Sequence, residues 1–213
     1  VLFRSTEQLV RIPAGLEPAK AIPGLLQART AYAMSHGAHH VQPGDRVLVH
    51  AAAGGVGYLL VQMAKMLGGE VFATVGSDAK AAIAKEAGAD HVINYSTQDF
   101  AAAVMDLTGG KGVKAIYDSV GKSTYPQDLQ CLGNRGVIVI YGSASGPIGP
   151  VDLTPLNKMG GYVTHTAARH FATTRQEYLR QSNEVMGWVA AGTLRVRYTT
   201  RSEEHTSELQ SLA

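Results

Sequence analysis

Short, almost continuously apolar runs alternate along this chain with longer segments whose apolar residues recur at helical spacing. The run Val-Leu-Val precedes His50, and beyond the following turn Val56, Leu59, Leu60 and Met63 fall on one face of a helix. Runs rich in Val and Ile between amphipathic segments are typical of a parallel sheet covered by helices on both faces. We therefore predict an α/β fold whose strands end at residue 50 and span residues 71–75, 91–94, 113–117, 136–141 and 162–164.

The segments between these strands predict the helices. One helix begins after the glycines near residue 54, and the others span residues 78–86, 98–107, about 126–132 and 174–191. Ser96 and Thr97 are candidate N-caps for the helix at 98–107. Gly88 and Gly192 are candidate stops for the helices that precede them.

The beginning of the chain does not follow this alternation. Residues 8–12 predict a strand followed by a turn, and a helix near residues 22–36 leads into the strand that ends at His50. We interpret residues 6–25 as the end of a preceding domain and its linker, and residues 26–200 as the main α/β domain. Residues 1–5 and 201–213 resemble translated sequencing-library adapters, so we exclude them and expect the rest to be an internal piece of a longer protein.

The turn that follows His50 is the most informative stretch for function. Its sequence, His-Ala-Ala-Ala-Gly-Gly-Val-Gly, places Gly54, Gly55 and Gly57 around Val56. Small residues let the backbone approach a pyrophosphate, and the unpaired N–H groups at the start of the next helix can bind its charge. We therefore predict a dinucleotide site here. The alternative is that the glycines serve packing alone.

The next strand indicates which dinucleotide binds. NAD-binding domains of this kind place Asp or Glu about 20 residues past the glycines, where the carboxylate accepts hydrogen bonds from the ribose. Here the strand ends in Gly76 and Ser77, and Lys80 follows one helical turn later. A hydroxyl and an ammonium can bind a 2′-phosphate that a carboxylate would repel, so we predict NADPH. The alternative is that Ser77 only caps the helix and that Lys80 is solvated.

Composition argues against several other functions. The formal charge is +2 over 213 residues, which gives no reason to expect a nucleic acid or an anionic membrane surface as a partner. No apolar run is long enough to predict a membrane span. The lone Cys131 excludes an internal disulfide and suits a reducing, cytoplasmic environment.

Two further patterns are weaker candidates. Residues 121–124, Gly-Lys-Ser-Thr, look like the end of a phosphate-binding P-loop, but the first glycine that such a loop needs would fall at Ile116, inside a strand. His36, His39 and His40 cluster without carboxylate or thiolate partners at useful spacing. We therefore predict solvated histidines there and no metal site.

Six segments, in their order and spacing, resemble one protein family. They are LLQARTAYA, VLVHAAAGGVG, GSDAK, GADHVINY, YDSVG and YGSASG. The resemblance is to the NADPH-dependent, zeta-crystallin-like quinone oxidoreductases of the medium-chain dehydrogenase/reductase superfamily. It implies a doubly wound Rossmann domain at residues 26–200, with only a remnant of an N-terminal GroES-like domain at residues 6–25. It also implies zinc-independent hydride transfer from NADPH to a small-molecule quinone, and a homodimer of the full-length protein.

Carried over position by position, the resemblance implies a set of NADPH contacts and no catalytic residue. Thr30 takes the place of a family threonine near the nicotinamide, and Lys80 and Tyr95 lie at the end that binds the adenosine 2′-phosphate. Together with the glycines of the turn, the expected set is Thr30, Gly54, Gly55, Val56, Gly57, Gly76, Ser77, Lys80, Tyr95, Ser119, Val120, Gly142, Ser143 and Ala144.

The chain also departs from the family pattern. Ala28 and Arg29 stand where the family often has Gly followed by Met or Leu, and residues 165–168 replace an Arg-Pro-Thr-Leu run. Leu26 and Gln27 stand where the zinc-dependent relatives keep a Cys, which favours a metal-free site. Two alternatives remain open: a reductase of enones or acyl thioesters from the same superfamily, or, for this chain by itself, a non-catalytic NADPH-binding module.

Overall fold

The computed structural model describes residues 9–198, which form one sheet of six parallel strands in the order β3-β2-β1-β4-β5-β6. From β1 in the middle, the chain adds strands outward to β3 and then returns to β4 on the other side of β1. The order therefore reverses between β1 and β4, the kind of switch point where open α/β sheets bind ligands. This topology confirms the predicted Rossmann-type fold class. The strands are β1 (Arg46–Val49), β2 (Glu70–Val75), β3 (His91–Asn94), β4 (Val113–Asp118), β5 (Leu132–Ile140) and β6 (Tyr162–His165).

Helices precede β1 and connect the strands. A continuous helical run before β1 consists of α1 (Pro18–Pro23), a π-helical segment (Gly24–Ala28), α2 (Arg29–Tyr32) and a second π-helical segment (Ala33–Ala38). The remaining helices are α3 (Gly55–Met66), α4 (Asp78–Ala87), α5 (Phe100–Leu107), α6 (Tyr125–Cys131), α7 (Thr154–Met159), a 3₁₀ turn (Ala168–Phe171) and α8 (Arg175–Ala190).

Each face of the sheet has its own hydrophobic core, because successive residues of a strand point to opposite sides. Val47 and Val49 of β1 pack in the core formed with α3, α8 and the helical run before β1. Leu48, between them, packs in the opposite core with Phe72 and residues of α5 and α6. Because β1 is buried on both faces, its position is fixed, and so is the start of the turn at its carboxyl end.

The predicted start of α5 was wrong, because a different residue caps the helix. The Asp99 carboxylate accepts the Ala102 N–H at 3.0 Å and is the N-cap. Neither Ser96 nor Thr97 has that role; the Thr97 hydroxyl instead donates to the Asn94 carbonyl at 3.2 Å. A carboxylate at the N-cap also interacts favourably with the helix dipole.

The predicted start of β5 was also wrong. The strand begins at Leu132, so the segment Gly-Asn-Arg-Gly at 133–136 lies inside the strand and does not precede it. Arg135 has a φ of 53°, and the pairing of β5 with β4 shifts register between Val113 and Ala115. An irregularity of this kind is a bulge, which polar and glycine residues tolerate and which a search for apolar runs passes over.

The first described residues differ from the prediction as well. Residues 9–12 have no regular secondary structure, so the predicted strand at 8–12 is wrong there, and residue 8 lies outside the described range. The helical run begins at Pro18, because proline is favoured in a first helical turn. Helix α7 was not predicted. The adapter-like ends, 1–5 and 201–213, lie outside the described residues, and no helix within 9–198 has the length and apolar character of a membrane span.

Candidate functional site

A residue in an unusual backbone conformation builds the turn between β1 and α3. Ala51 has a φ of 49°, in the left-handed region that residues with a Cβ rarely adopt. The turn lets the Ala51 carbonyl accept the Gly54 N–H at 2.8 Å, and Gly54 then caps α3 in an extended conformation. The first amides of α3 have no partner within the helix, so they are available to an anion at the carboxyl edge of the sheet.

The glycines of this turn have different roles. A Cβ on Gly57 would lie 2.4 Å from the Ala51 carbonyl oxygen, a backbone atom that cannot move aside. Gly57 therefore serves the close packing of α3 on the turn. Gly54 and Gly55 are exposed, and a Cβ on Gly55 would meet the flexible Gln27 side chain at 2.4 Å. Gly54 and Gly55 form the accessible surface at which a ligand can approach the backbone.

A cavity of about 350 Å³ opens at the start of α3. Gly54 and Gly55 line it together with Gln27 and Arg197. The Arg197 guanidinium lies 2.8 Å from the Glu86 carboxylate, which orients it beside the turn. Gln27 and Arg197 were not predicted as site residues, because they belong to no glycine motif and only the fold brings them to α3.

The end of β2 forms a second part of the site. The Tyr95 ring lies against Gly76, where a Cβ would be 2.5 Å from the phenol oxygen, and the Ser96 hydroxyl donates to the Gly76 carbonyl at 2.9 Å. The Ser77 hydroxyl accepts the Lys80 N–H at 3.4 Å, so Ser77 caps α4 as the alternative interpretation held. The structure thus brings Tyr95 to Gly76 and Ser77 at the end of β2, the neighbourhood that the family resemblance implied, and their contact with a cofactor stays a prediction.

Two charged side chains follow Ser77 in the first turn of α4. The Asp78 carboxylate accepts a hydrogen bond from the Asn94 side-chain amide at 3.0 Å, so it is already paired with the end of β3. Lys80 is exposed, and within residues 9–198 its ammonium forms no ion pair. Lys80 is therefore available to an anion at this end of the sheet.

The loops after β4 and β5 are joined to each other by hydrogen bonds. The Asp118 carboxylate accepts the Val120 N–H at 2.6 Å, which fixes the first loop. The Ala144 N–H donates to the Ser119 carbonyl at 3.1 Å, and a Cβ on Gly142 would lie 2.7 Å from that oxygen. Residues 119–120 and 142–144 therefore lie side by side at the carboxyl edge, next to the switch point.

Thr30 lies in α2, in the helical run before β1, and not in the loops at the carboxyl edge of the sheet. Its hydroxyl donates to the Leu26 carbonyl at 3.0 Å, within its own helical run, and no hydrogen bond in the described range joins it to the loops above. Helix α2, which contains Thr30, packs against α3. Its role beside a nicotinamide stays a prediction.

A buried polar cluster lies beneath the turn. His50, which is 1% exposed, comes directly before Ala51. Its Nε2 is 2.7 Å from Asp128 Oδ1, and its Nδ1 is 2.8 Å from the Thr74 hydroxyl. Asp118 is a second fully buried carboxylate close to this pair. The cluster connects the carboxyl ends of β1, β2 and β4 to α6, so it links the three loops just described.

The charges in this cluster shift one another's proton affinity. Burial by itself would lower the pKa of His50, but the charge and hydrogen bond of Asp128, with the charge of Asp118, raise it above its ordinary value. Burial raises the pKa of Asp128 to about 6, although His50 acts in the opposite direction. Sequence reasoning treated His50 only as the residue between the first strand and the glycine turn, and it missed this cluster.

Of the three histidines predicted to be solvated, only His40 is exposed, so the prediction was wrong for His36 and His39. His36 is half-buried and stacks on Tyr32 with 4.1 Å between ring centroids, and burial lowers its pKa. The His39 Nε2 lies 2.9 Å from a carboxylate oxygen of Asp45, a partner that the sequence analysis did not expect. Among residues 9–198, no group of three or more His, Cys, Asp or Glu side chains is arranged to hold a metal ion.

The sequence of this chain is similar to those of several known oxidoreductases. A sequence model of the family described as zinc-binding dehydrogenase matches residues 55–184. The chain belongs to this family. It is 39% identical over 186 residues to quinone oxidoreductase 1 of Escherichia coli, a match that covers 87% of this chain and 57% of that protein. It is 48% identical over 128 residues to 2-haloacrylate reductase of a Burkholderia species, covering 59% of this chain and 38% of that enzyme.

Solved structures of this family have the same fold. The Pseudomonas syringae quinone oxidoreductase superposes with a TM-score of 0.86 at 37% identity, covering 90% of this chain and 59% of that one. The Escherichia coli quinone oxidoreductase complexed with NADPH gives 0.84 at 38% identity, covering 88% of this chain and 58% of that one. These comparisons confirm the predicted relationship to the quinone oxidoreductases of the medium-chain superfamily. The chain spans less than two thirds of the length of these relatives.

Proposed function

We propose that the protein is an NADPH-dependent, zinc-independent quinone oxidoreductase and that this chain supplies its cofactor-binding part. The observation that carries the proposal is that four loops meet at the carboxyl edge of the sheet, around the switch point between β1 and β4. One is the turn at Gly54 and Gly55 that opens α3, and two more, residues 119–120 after β4 and 142–144 after β5, are hydrogen-bonded to each other. The fourth, at the end of β2, has Gly76 and Ser77 where an NAD site would place a carboxylate.

Each loop has a distinct task in this proposal. The first amides of α3, with Gly55 and Val56, bind the pyrophosphate, and the accessible surface at Gly54 and Gly55 lets it come close. Lys80 and Tyr95 bind the adenosine 2′-phosphate. The residues at 119–120 and 142–144 orient the nicotinamide half, with Thr30 on its flank. NADPH supplies the hydride when bound, so binding, orientation and exclusion of water are the protein's contribution.

Cofactor selectivity provides the direct test of this proposal. A charge-assisted hydrogen bond contributes about 1.5–3 kcal/mol, so losing the Lys80 contact should weaken NADPH binding roughly ten- to hundredfold. We expect Lys80→Ala to raise the NADPH dissociation constant by that factor and to leave NADH unchanged, as measured by nicotinamide fluorescence titration. Lys85→Ala, in the last turn of the same helix, is the matched control. An equal loss for both cofactors would remove Lys80 from the phosphate site.

A turnover measurement separates the enzyme from a binding module. Stopped-flow oxidation of NADPH with 1,4-benzoquinone, compared with NADPH binding, gives both quantities for the same sample. We expect this chain by itself to bind NADPH without turnover and the full-length protein to reduce the quinone. Binding without turnover by the full-length protein would support the module instead.

A second candidate function is the reduction of a conjugated carbon–carbon double bond. It is favoured by the 48% identity, over 128 residues, to a 2-haloacrylate reductase. The two candidates share the cofactor site, so they differ only in the acceptor. Parallel assays of the full-length protein with 1,4-benzoquinone and with 2-chloroacrylate decide between them by the ratio of their kcat/KM values.

Assembly and location are part of the same proposal. We propose a small-molecule substrate and a homodimer of the full-length protein through the outer edge of β6, the terminal strand of the sheet. We also propose a cytoplasmic location, which the single buried Cys131 suits. No nucleic acid or membrane partner is part of this proposal.

A further inference from the structure

The buried pair of His50 and Asp128 has no task in the proposed cofactor binding as described so far. His50 is 1% exposed and comes directly before the turn at residues 51–54, which we call the glycine turn. Asp128, in α6, is fully buried. Replacing a buried ion pair by apolar residues is often neutral or stabilising, so stability by itself does not account for a charged pair in the core.

The Asp128 carboxylate depends on a single donor. Its Oδ1 accepts a hydrogen bond from His50 Nε2 at 2.7 Å, whereas its Oδ2 is buried and has no partner within residues 9–198. The neighbouring Asp118 carboxylate has its own donors, the Val120 N–H at 2.6 Å and the Gly121 N–H at 3.0 Å. The His50 imidazole therefore holds Asp128, and with it α6, against the end of β1.

The pair connects three of the strand ends that carry the proposed cofactor loops. His50 follows β1, and its Nδ1 lies 2.8 Å from the Thr74 hydroxyl of β2. The Ala52 N–H donates to the Thr74 carbonyl at 3.1 Å, so the same residue of β2 also holds the glycine turn. Asp118, the last residue of β4, faces the pair and fixes the loop at 119–120. A displaced His50 would therefore move the glycine turn relative to that loop.

The protonation state of His50 sets the charge beside the glycine turn. Burial lowers the pKa of His50, but Asp128 and Asp118 outweigh burial and raise it above its ordinary value. A protonated His50 donates from both ring nitrogens, to Asp128 and to the Thr74 hydroxyl. Its positive charge lies just before the amides to which the pyrophosphate is proposed to bind, so it favours an anion there.

The surroundings of the pair make His50 the group whose charge changes as the pH rises above neutral. Burial raises the pKa of Asp128 to about 6, so this carboxylate is ionised at higher pH. Tyr125 and Cys131 of α6 also face Asp128, and burial raises the pKa of both, so they stay neutral. Phe100 of α5 packs edge-on against the imidazole, with 4.9 Å between ring centroids, and brings no charge.

We propose that His50 and Asp128 are positioning residues for the cofactor: their hydrogen bond holds the glycine turn in place relative to the loop at 119–120, and the proton on His50 strengthens the binding of the pyrophosphate. This inference rests on the proposed NADPH-binding function. Because both side chains are buried, they act through the backbone of the loops and through charge. An anion bound nearby favours the protonated imidazole, so NADPH binding takes up a proton and weakens as the pH rises.

The pH dependence of NADPH affinity tests the role of the proton. Nicotinamide fluorescence titrations of this chain between about pH 7 and pH 9 give the dissociation constants of the wild type, Asp128→Asn and His50→Gln. We expect the wild-type constant to rise by at least about threefold over this range. Both variants should change by less than about twofold, because neither holds a proton on residue 50 there.

A second His–Asp pair offers the matched control. His39 Nε2 lies 2.9 Å from the Asp45 carboxylate, before the amino end of β1 and away from the proposed cofactor site. Asp45→Asn makes the same chemical change as Asp128→Asn. It should keep both the wild-type affinity for NADPH and its pH dependence.

A shorter ligand tests the positioning of the loops. The compound 2′,5′-ADP carries the adenosine 2′-phosphate but lacks the nicotinamide half, so it does not reach the loop at 119–120. We expect Asp128→Asn to weaken NADPH binding about tenfold and 2′,5′-ADP binding by less than about twofold, as measured by calorimetric titration at neutral pH. An equal loss for both ligands indicates a general loss of structure and would overturn the positioning role.

The remaining outcomes separate this inference from the proposed function. Variants that bind NADPH as the wild type does, or that keep the wild-type pH dependence, would refute the role of the pair while NADPH binding itself stands. A wild-type chain that does not bind NADPH refutes the proposed function, and this inference with it. Circular dichroism checks that each variant is folded. If Asp128→Asn is not, His50→Gln, whose amide can still donate to Asp128, decides through its pH dependence.

Discussion

Ala51 turns the chain between β1 and α3 with a φ of 49°, a conformation that costs a residue with a Cβ about 1–2 kcal/mol. Glycine adopts it without that cost, although it gains more freedom in the unfolded chain. We therefore expect Ala51→Gly to raise the free energy of unfolding by about 0.5–1 kcal/mol in urea titrations. Ala52→Gly, at the buried next position, should lower it. A loss of the same size in both variants would refute the strain at Ala51.

The His50–Asp128 pair gives the stability a pH dependence. Because the pKa of His50 is raised, its stabilising effect is complete below about pH 6.5 and is lost as the pH rises through the folded-state value. The pKa of Asp128, raised to about 6, makes stability fall with rising pH in the range below that value. Both groups therefore predict lower stability at alkaline pH.

Replacing the carboxylate should reverse this trend. In Asp128→Asn the burial of His50 is no longer opposed by its partner's charge, so its pKa should fall below the unfolded value. We then expect the free energy of unfolding to increase between about pH 5 and pH 7, where the wild type decreases. Urea unfolding at a series of pH values measures how the free energy of unfolding of each protein changes with pH. Asp106→Asn, on the exposed face of α5, controls for the change of side chain. If the free energy of unfolding changes with pH in the same way in the wild type and in Asp128→Asn, this explanation is wrong.

Sequence reasoning at the residue scale succeeds where a motif fixes the backbone. The family resemblance placed Tyr95 at the same end of the site as Gly76. The structure puts the two residues in contact, because adjacent parallel strands bring their carboxyl ends together. His50 opens the glycine turn, but Asp128, which is 78 positions away, lies in no motif, so only the folded chain pairs them. Gln27 was missed because only the folded chain brings it to the start of α3.

At the scale of elements, Gly57 decides how closely α3 approaches the turn. A methyl group there would overlap the Ala51 carbonyl, so α3 must shift, and overpacking of this kind costs about 1–3 kcal/mol. We expect Gly57→Ala to lower the melting temperature and to weaken NADPH binding by more than about tenfold, because the first amides of α3 move with it. Calorimetry and fluorescence titration measure the two effects.

Helix α8 offers the matched control for this substitution. Gly187 lies inside α8, and a Cβ there meets nothing within 4 Å. Gly187→Ala should therefore stabilise the protein by about 0.8–1 kcal/mol through helix propensity and leave NADPH affinity unchanged. If Gly57→Ala behaves like Gly187→Ala, the close approach of α3 to the turn is not what shapes the site.

Elements were predictable where hydrophobic periodicity is unbroken. The predicted strand at 91–94 and the strand at 162–164 agree with β3 and β6 within one residue, because buried parallel strands have near-continuous apolar sequences. The start of β5 was missed because Arg135 and its polar neighbours form an irregular pairing that resembles a turn in sequence. The short α7 carries too few apolar residues to show a periodicity.

At the scale of the whole molecule, the sheet ends in β6, whose outer edge is the surface proposed for the dimer. The direction of its backbone groups follows from one contact: the Thr166 N–H donates to the Ile140 carbonyl of β5 at 2.9 Å. Since these groups alternate along a parallel strand, the Thr164 N–H also points to β5, whereas the Val163 and His165 N–H groups point outward.

Proline at an outward-facing position can therefore separate dimerisation from folding. Val163→Pro removes an N–H on the outer edge and keeps the bonds to β5, so we expect a folded monomer. Thr164→Pro removes a bond of the sheet itself and should lower the melting temperature instead. Size-exclusion chromatography with light scattering on the full-length protein measures the assembly, and Val163→Thr, which keeps the N–H, should remain dimeric. A full-length Val163→Pro variant that stays dimeric would place the dimer contact on another surface, since a strand edge without this donor cannot continue the sheet across two copies.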